Sequence, residues 1–374
     1  MDATDNPRSA VIILHVITGM TKAAGTSVFC GEVCNGLVAL GHDVTVAVVN
    51  PKSIDCYPID PRVKLIAISS LLSCLRTPTS QIPKFDLIHI HALWSPILHK
   101  VSNWAAINEI PIVWSPHGML TPWAMRNKRL KKYIGWWMYQ KWDLAKANLL
   151  HVTAQAEVAD VRRMGLRNNV VVVPLGVNIC GPLAYLAHSS NKRVLLFVSR
   201  VQKKKGLPML IDAWAQLPKD VKADWLVRIV GPDQDNHSAE LKAQCERLGV
   251  MDDFEFVGPK YGDDLNAEYC GADLFVLPTH SENFASVVIE ALARGLPVIC
   301  TKGAPWEELE IYKCGYWIDV GVEPLANALK VAMLSTDNYR HDMGKRGREL
   351  VEAKYIWSSV VRRMIEGYGA VLGG

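Results

Sequence analysis

The chain of 374 residues is long enough for two or three domains, and its 49% apolar and 21% charged residues exclude an intrinsically disordered protein. A formal net charge of +4, spread along the chain, excludes a nucleic-acid-binding protein, which would carry a dominant basic stripe. No apolar run approaches the roughly 18 residues of a membrane span, and the acidic, polar amino terminus does not resemble a signal peptide. Nine scattered cysteines are typical of free buried thiols, so we expect a reduced, cytoplasmic enzyme.

Short β-branched runs alternate with helical stretches along the whole chain. In the first half the pattern predicts helices at residues 27–40, 96–108, 128–147 and 154–165, and strands at 11–17, 43–49, 86–91, 111–115, 149–153 and 170–173. In the second half it predicts strands at 193–199, 225–230, 254–257, 273–277 and 297–300, again with helices between them. Continuous apolar strands separated by helices favour parallel sheets that are covered on both faces. We therefore predict an α/β protein of two doubly wound, Rossmann-like domains that face a cleft.

The polar stretch 174–190, which contains proline and glycine, is the predicted hinge. It separates a first domain, residues 1–176, from a second domain, residues 177–354. The last helical pattern, within residues 355–374, has no strand partner of its own. It either crosses back to complete the first domain or is an ordinary terminal helix of the second.

Two cations follow the first strand of the second domain. Arg200 comes directly after that strand, and Lys205-Gly206 precedes an apolar helix. Cations beside a helix amino terminus suit a diphosphate, and ligands of doubly wound domains bind at the carboxyl ends of the strands. The alternative is a solvated basic turn.

Two carboxylates border the next candidate segment, THSENFASVVIEALA. Glu282 lies in the loop after a strand, and Glu290 lies in the following helix, about two turns along, among apolar residues. Carboxylates suit pairs of sugar hydroxyls, and the amides of Asn283, Phe284 and Ala285 suit anions. In the alternative, Glu282 only stabilises the helix dipole and Glu290 is an ordinary surface residue. Glu290 lies among apolar neighbours, however, where an unpaired charge is costly, and this favours a function for it.

Other polar residues are weaker candidates. The glycine-bearing loop TGMTKAAGTS contains neither a dinucleotide fingerprint nor a P-loop. His89 and His91 alternate on a strand and could bind zinc only with a third ligand, which no Cys or His spacing supplies. His117, at a strand's carboxyl end, is as good a functional candidate as a structural one. Asp233 and Asp235 form an acid-x-acid pair, but the run GPDQDNH favours a surface loop over a metal site.

Taken together, these residues resemble the family 4 (group 1) retaining glycosyltransferases with the two-domain glycosyltransferase B fold. The motifs are the pair of glutamates within SENFASVVIEALARGLPVI, the two cations, the loop TGMTKAAGTS before LGHDVTV, and IHIHALW. The stretch SPHGMLTPWAMRNKRLKKYIGWW is similar to members that build bacterial exopolysaccharides and lipid-linked glycans. Asn283 and Ala285 stand where glycines are common in the family.

The resemblance implies a role for each matching residue. Arg200 and Lys205 would hold the nucleotide diphosphate and stabilise the leaving group. Glu282, with the amides of residues 283–285, would bind donor-sugar hydroxyls, and Glu290 would bind the ribose. The other residues implied are His117 near the donor sugar, Gly25 at the phosphates, and Gly231 with the turn from Val257 to Lys260 beside the base.

The implied reaction moves a hexose from a UDP- or GDP-linked sugar to a glycan acceptor. Negative charge grows on the departing diphosphate, where cations and helix amino termini stabilise it, so no metal or other cofactor is expected. No second carboxylate is placed as a nucleophile, so we favour same-face attack in which the departing phosphate takes the acceptor's proton.

The segment from Pro122 to Lys146 predicts a further partner. It carries seven Lys or Arg residues and one acidic residue, with six aromatic residues interleaved. A basic helix with aromatic residues is typical of a membrane-surface element, which would place the enzyme at the inner face of the cytoplasmic membrane beside a lipid-linked acceptor. The alternative is a solvated helix with an aromatic core face.

Other functions remain open. A phosphorylase of this fold would need a lysine that anchors pyridoxal phosphate and usually has a much longer chain. A sugar-nucleotide epimerase shares this fold but acts without an acceptor. A two-lobed solute-binding protein also pairs two doubly wound domains, but it is normally exported and this sequence shows no signal peptide.

Overall fold

The computed structural model describes residues 10–21, 25–49, 58–74, 84–179, 181 and 192–373. The chain forms two compact units. The first consists of the chain up to Leu175 together with the segment from Trp357 onward, and the second spans Gly176–Ile356. The carboxy-terminal helix therefore lies in the first unit. The predicted hinge falls largely on residues outside the described part of the chain.

The first unit contains a seven-stranded parallel sheet in the order β3-β2-β1-β4-β5-β6-β7. Its strands are β1 (Ile12–Val16), β2 (Asp43–Val48), β3 (Lys64–Ala67), β4 (Leu87–His91), β5 (Ile112–Ser115), β6 (Leu149–Val152) and β7 (Asn169–Val172). Its helices are α1 (Gly25–Ala39), α2 (Ile68–Cys74), α3 (Pro96–Ile107), α4 (Pro122–Arg126), α5 (Arg129–Gly135), α6 (Lys141–Lys146), α7 (Gln155–Arg163) and the terminal α16 (Trp357–Leu372).

The second unit contains a six-stranded parallel sheet in the order β10-β9-β8-β11-β12-β13. Its strands are β8 (Arg193–Val198), β9 (Trp225–Val230), β10 (Phe254–Gly258), β11 (Leu274–Leu277), β12 (Val298–Thr301) and β13 (Gly315–Ile318). Its helices are α8 (Leu207–Ala215), α9 (Lys219–Lys222), α10 (His237–Leu248), α11 (Gly262–Cys270), α12 (Ser286–Ala293), α13 (Glu308–Ile311), α14 (Val322–Leu334) and α15 (Asp337–Lys354). The predicted α/β architecture of two parallel sheets is confirmed.

Central strands are fully buried, as expected for parallel sheets with helices on both faces. The strand order reverses between β1 and β4 in one unit and between β8 and β11 in the other. Loops diverge at such a switch point and leave a crevice outside the carboxyl ends of the strands. Within the described residues, no helix is both long and apolar enough to cross a membrane.

The helix predicted at residues 128–147 contains an irregularity. A π-helical turn at Trp136–Gln140 separates α5 from α6. The extra residue in this turn lets Trp136 and Gln140 stay buried, and Gln140 Oε1 accepts a hydrogen bond from the Trp94 amide at 2.8 Å. Trp137 and Met138 are left on the surface.

A directed chain of hydrogen bonds ties the terminal helix α16 to the first sheet. The Val173 carbonyl can only accept, so His151 donates to it from Nε2 at 2.8 Å. Burial lowers the pKa of His151 to about 4, so its Nδ1 is unprotonated and accepts from the Ser115 hydroxyl at 2.6 Å. Ser115 Oγ in turn accepts from His89 Nε2, and His89 Nδ1 accepts from the Tyr368 hydroxyl of α16. Every polar atom of His89 is therefore paired.

Candidate functional site

The switch point of the second sheet carries the central contact of the candidate site. Lys205 follows β8, Glu282 follows β11, and Lys205 Nζ donates to Glu282 Oε1. The two side chains are only 11% and 13% exposed. The sequence places these residues far apart, and the adjacency of β8 and β11 brings them together. A buried cation and a buried carboxylate thus meet where α/β proteins bind ligands.

Tight turns hold this ion pair. Lys205 ends a 3-10 turn, and Gly206 follows with a φ of +74°. A Cβ atom at Gly206 would lie 1.8 Å from the Pro278 carbonyl oxygen, so only glycine allows this approach. The Lys204 carbonyl accepts from the His280 amide at 2.9 Å, and the Thr279 hydroxyl lies 3.2 Å from Glu282 Oε1.

Arg200 follows β8, on the side of the sheet where β9 and β10 also end. Its guanidinium is exposed and lies 3.5 Å from Gln234 Oε1. Gly231, after β9, has a φ of +147°, and a Cβ there would lie 1.9 Å from the Ser199 carbonyl oxygen. The Gly231 amide donates to the Gly258 carbonyl at 2.9 Å, which places the end of β10, with Val257, and the following turn, with Lys260, next to Gly231.

The loop that carries Glu282 leads into α12. Residues 283–285 precede the helix, which begins at Ser286, and Ala285 is held at a φ of +64°. A left-handed alanine is strained, and such strain is concentrated at functional sites. The Phe284 carbonyl accepts a hydrogen bond from the buried Trp306 side chain, at Nε1, over 2.6 Å, and this bond fixes the backbone of the loop.

Glu290 has a partner that the sequence did not indicate. It is the fifth residue of α12, not two turns along, and Glu290 Oε2 accepts from the Tyr269 hydroxyl at 2.9 Å. Burial, with the Glu290 charge adding, raises the pKa of Tyr269 well above its usual range, so the phenol stays a donor. Because the Tyr269 hydroxyl is a hydrogen-bond partner, the cost of an unpaired charge gives no separate reason to assign a function to Glu290. Its placement in a ribose site stays a prediction.

In the first unit, His117 follows β5 in a left-handed turn with a φ of 51°. Its Nε2 lies 3.1 Å from His91 Nδ1. Burial, with His91 and His151 adding, holds the pKa of His117 well below its usual range, so this imidazole is neutral at pH 7. A neutral imidazole donates from one nitrogen and accepts at the other.

Glu157 of α7 fixes the turn that carries His117, and the sequence reasoning missed it. Glu157 is buried, and its carboxylate accepts from the Gly118 amide at 2.6 Å and from the Thr153 amide at 3.0 Å. The only signal in the sequence was an acidic residue in the first turn of a predicted helix.

The remaining candidates occupy ordinary positions. Gly25 begins α1, and residues 22–24 of the preceding loop lie outside the described part of the chain. Asp233 accepts from the Ser238 amide at 3.2 Å and so caps the start of α10, in agreement with a surface loop. Sequence spacing supplied no third ligand for His89 and His91, but the fold brings His15 of β1 beside both.

Two family models match the chain: "Glycosyltransferase Family 4" over residues 23–179 and "Glycosyl transferases group 1" over residues 184–350. A D-inositol 3-phosphate glycosyltransferase of Salinispora tropica is 32% identical over 186 residues, which are 47% of this chain and 38% of that relative. The chain thus spans well under half of this relative. Another protein of that name, from Thermobispora bispora, is 26% identical over 98% of this chain and 95% of its own length.

Among solved structures, HepE of Anabaena in complex with UDP and glucose superposes with a TM-score of 0.74 at 18% identity, covering 96% of this chain and 100% of that one. At 18% identity, this similarity shows that the two proteins share a fold and shows nothing further. Together the two family models span most of the chain, one on each parallel sheet. The chain therefore belongs to the group 1, family 4 glycosyltransferases, a family of transferase enzymes with the glycosyltransferase B fold.

Proposed function

We propose that this protein transfers a hexose from a UDP- or GDP-linked sugar to a glycan acceptor. The observation that carries the proposal is the buried Lys205–Glu282 pair at the switch point, with Arg200 on the adjoining turn. It supplies cations for a diphosphate and a carboxylate for sugar hydroxyls in one place. The HepE structure, which holds UDP and glucose, supports the same class of donor.

The proposed roles follow from these contacts. Arg200 and Lys205 stabilise the charge that grows on the departing diphosphate. Glu282, oriented by its ion pair, accepts hydrogen bonds from the donor sugar, and Glu290, oriented by Tyr269, accepts them from the ribose. The base would lie along the turns at Gly231 and residues 257–260. The resemblance also gives His117 a place near the donor sugar, which stays a prediction.

The transfer is proposed to retain the anomeric configuration. Beyond Glu282 and Glu290, which are assigned to binding, we place no carboxylate as a nucleophile, so the acceptor attacks on the face that the diphosphate leaves. The departing phosphate oxygen takes the acceptor's proton. The product anomer, determined by NMR with the donor's configuration known, decides this point, and inversion would contradict it.

Donor binding is tested by thermal shift against a panel of nucleotide sugars and free nucleotides, because a ligand that binds the folded state raises its melting temperature. We expect UDP- or GDP-sugars to raise it, and Arg200→Ala to abolish the rise. No shift with any nucleotide sugar would refute the proposal. Nucleotide release that requires added acceptor separates a transferase from an epimerase, and any turnover excludes a solute-binding protein.

No divalent metal is proposed at the diphosphate, because the two cations supply the neutralising charge. Transfer is expected to be unchanged by EDTA and by added Mg²⁺ or Mn²⁺. Loss with EDTA that Mn²⁺ restores would contradict this and would return attention to Asp233 and Asp235.

The acceptor is proposed to be lipid-linked and to be met at the inner face of the cytoplasmic membrane, as in polysaccharide assembly. The segment 122–146 exposes a cluster of large apolar side chains, two of them 73% exposed: Trp123, Leu130, Tyr133, Ile134, Trp137, Met138 and Trp142. Exposed apolar patches of this kind mark interaction surfaces. The segment's acidic residue, Asp143, is buried and paired with His99 at 2.8 Å, so all the charges that the segment exposes are positive.

Cations and aromatic residues line a concavity of about 690 Å³ on this face. Its lining includes Arg126, Arg129, Lys141 and Arg163, and Lys141 Nζ lies 4.6 Å from the centre of the Trp137 ring. An anionic lipid headgroup complements this charge, and each cation near such a surface contributes about 1 kcal/mol.

Liposome sedimentation tests the membrane proposal. Lys128, Arg129 and Lys131 are exposed, whereas Lys132 donates to the Ala124 carbonyl, so we choose the first three for reversal to Glu. The reversed protein should no longer bind anionic liposomes but should bind nucleotide sugar normally. The matched control is the same charge change on the second unit, at Lys219, Lys330 and Lys345, which are also exposed. If the wild type never binds, or both triple variants behave alike, the segment is a solvated surface.

A further inference from the structure

A second cluster of reactive side chains lies inside the first unit, on β1 and α1, and it reaches His117 only through His91. His15 of β1 faces Cys30 and Cys34 of α1, and all three are fully buried. The thiols are four residues apart on one helix face. One nitrogen or sulfur atom from each of the three residues lies within 4.8 Å of the other two.

An imidazole nitrogen without a hydrogen-bond partner distinguishes His15 from the neighbouring histidines. His15 Nδ1 lies 2.9 Å from His91 Nε2, but His15 Nε2 has no hydrogen-bond partner within the described part of the chain. A buried nitrogen without a partner costs about 1–3 kcal/mol. His89 has no free nitrogen, and both His91 nitrogens face other imidazoles. The atoms that meet in this cluster are therefore the unpaired His15 Nε2 and the thiols of Cys30 and Cys34, neither of which forms a disulfide.

We propose that His15, Cys30 and Cys34 bind one thiophilic d10 metal ion, Zn²⁺ or Cu⁺. One imidazole with two thiolates is a soft ligand set that selects these ions over Mg²⁺ or Ca²⁺. With Zn–S near 2.3 Å and Zn–N near 2.0 Å, ligand atoms around one ion lie about 3.5–4 Å apart, so the observed spacing needs only a small closure.

The charges also fit a dry interior. Binding Zn²⁺ releases one proton from each thiol, and the two thiolates then neutralise the ion. A neutral complex avoids the large cost of burying a net charge. Cu⁺ accepts the three-coordinate geometry more readily, and with Cu⁺ only one of the two thiols would release its proton, so that the complex is again neutral. Metal analysis distinguishes the two ions.

The ion would also set the direction of the hydrogen bonds that reach His117. With the metal on His15 Nε2, the proton of His15 stays on Nδ1 and is donated to His91 Nε2. His91 then donates from Nδ1 to His117 Nε2, so His117 keeps its own proton on Nδ1. The site thus positions His117 through His91 without touching the donor.

The test is metal analysis of the full chain, purified under reducing conditions without a polyhistidine tag from cells supplied with zinc or with copper. After gel filtration in EDTA, we expect about one ion per chain, because a buried site exchanges slowly. Cys30→Ser/Cys34→Ser should lose the ion. Cys245→Ser/Cys314→Ser, which alters two buried thiols of the second unit, is the matched control and should keep it.

Cadmium keeps the test valid if the double variant does not fold. Wild type produced with Cd²⁺ should show ultraviolet thiolate-to-metal charge transfer, and ¹⁵N spectra of its histidines should show His117 protonated on Nδ1. Wild type free of metal under both supplies, retention of the ion by the Cys30/Cys34 variant, or a cadmium protein without charge transfer would each overturn the proposal. None of these readouts depends on hexose transfer.

Discussion

Lys205→Met separates the stabilising role of the Lys205–Glu282 pair from its role in transfer. The substitution keeps the aliphatic stem and leaves the Glu282 carboxylate 13% exposed without its cation. Stranding one partner of a buried ion pair costs about 3–5 kcal/mol. In a unit of this size each kcal/mol lowers the melting temperature by about 2–4 °C, so we expect a fall of at least roughly 6 °C.

The double variant Lys205→Met/Glu282→Gln removes both charges at once. It should recover most of the lost stability, because no uncompensated charge remains, and the coupling in the double-mutant cycle should be large. Transfer should not recover, since removing one oriented charge donor costs about 10²–10³ in turnover in other enzymes. Calorimetry and a coupled nucleotide-release assay on Lys205→Met, Glu282→Gln and the double variant measure both effects.

Lys203→Met is the matched control from the same 3-10 turn. Its ion pair with Glu240 spans 3.2 Å, but the two side chains are 77% and 57% exposed, so its loss should cost less than about 1 kcal/mol. A stabilising role for the pair is refuted if Lys205→Met melts like Lys203→Met or if the double variant is as unstable as the sum of the single variants. A role in transfer is refuted if Lys205→Met transfers at the wild-type rate.

Three further outcomes are expected. Burial lowers the pKa of His151 to about 4, below its unfolded value near 6.5, so neutral His151 contributes up to roughly 3 kcal/mol to folding stability above pH 6.5, and this is lost as the pH falls toward 4. His151→Gln should therefore make the melting temperature depend less on pH between 7.5 and 5. Parallel plots of melting temperature against pH for the variant and the wild type would contradict this. Gly206→Ala should cost about 2 kcal/mol more than Gly249→Ala, since both glycines have positive φ but only Gly206 meets a backbone atom; equal denaturant midpoints would refute the steric argument. Tyr269→Phe should weaken nucleotide binding about tenfold by calorimetry while leaving pyrophosphate binding unchanged, and an equal loss for both would remove Glu290 from the ribose.

The strand pattern predicted most of both sheets, and the strands that it missed share a physical reason. β3 (Lys64–Ala67) and β13 (Gly315–Ile318) are four-residue strands at sheet edges, and neither is a continuous buried run. Edge strands have one solvated side, so their sequences lack the long apolar signal of a central parallel strand. β7 (Asn169–Val172), an edge strand of the same length, was nevertheless predicted, because its three consecutive valines supply a β-branched signal that β3 and β13 lack.

The candidate site was predictable only in part for a related reason. The switch-point rule identified the loops after β8 and β11, so Lys205 and Glu282 could be named from sequence. Tyr269 and Glu157 could not, because each lies on a helix whose pattern gives a polar residue no reason to be buried. Their roles arise from tertiary contacts with Glu290 and with the turn at His117.

The buried histidines show most directly what a one-dimensional pattern omits. Alternation on β4 predicted that His89 and His91 share one face, but their partners come from β1, β5 and the carboxy-terminal helix α16. A buried imidazole is neutral and needs one donor and one acceptor, so its role is decided by what the fold places at each nitrogen. His89 is satisfied at both nitrogens and is structural, whereas His15, at the same register on β1, keeps a free one. Two histidines that the sequence presents alike therefore differ in chemistry, and of the two it is His15 that keeps a nitrogen for a metal.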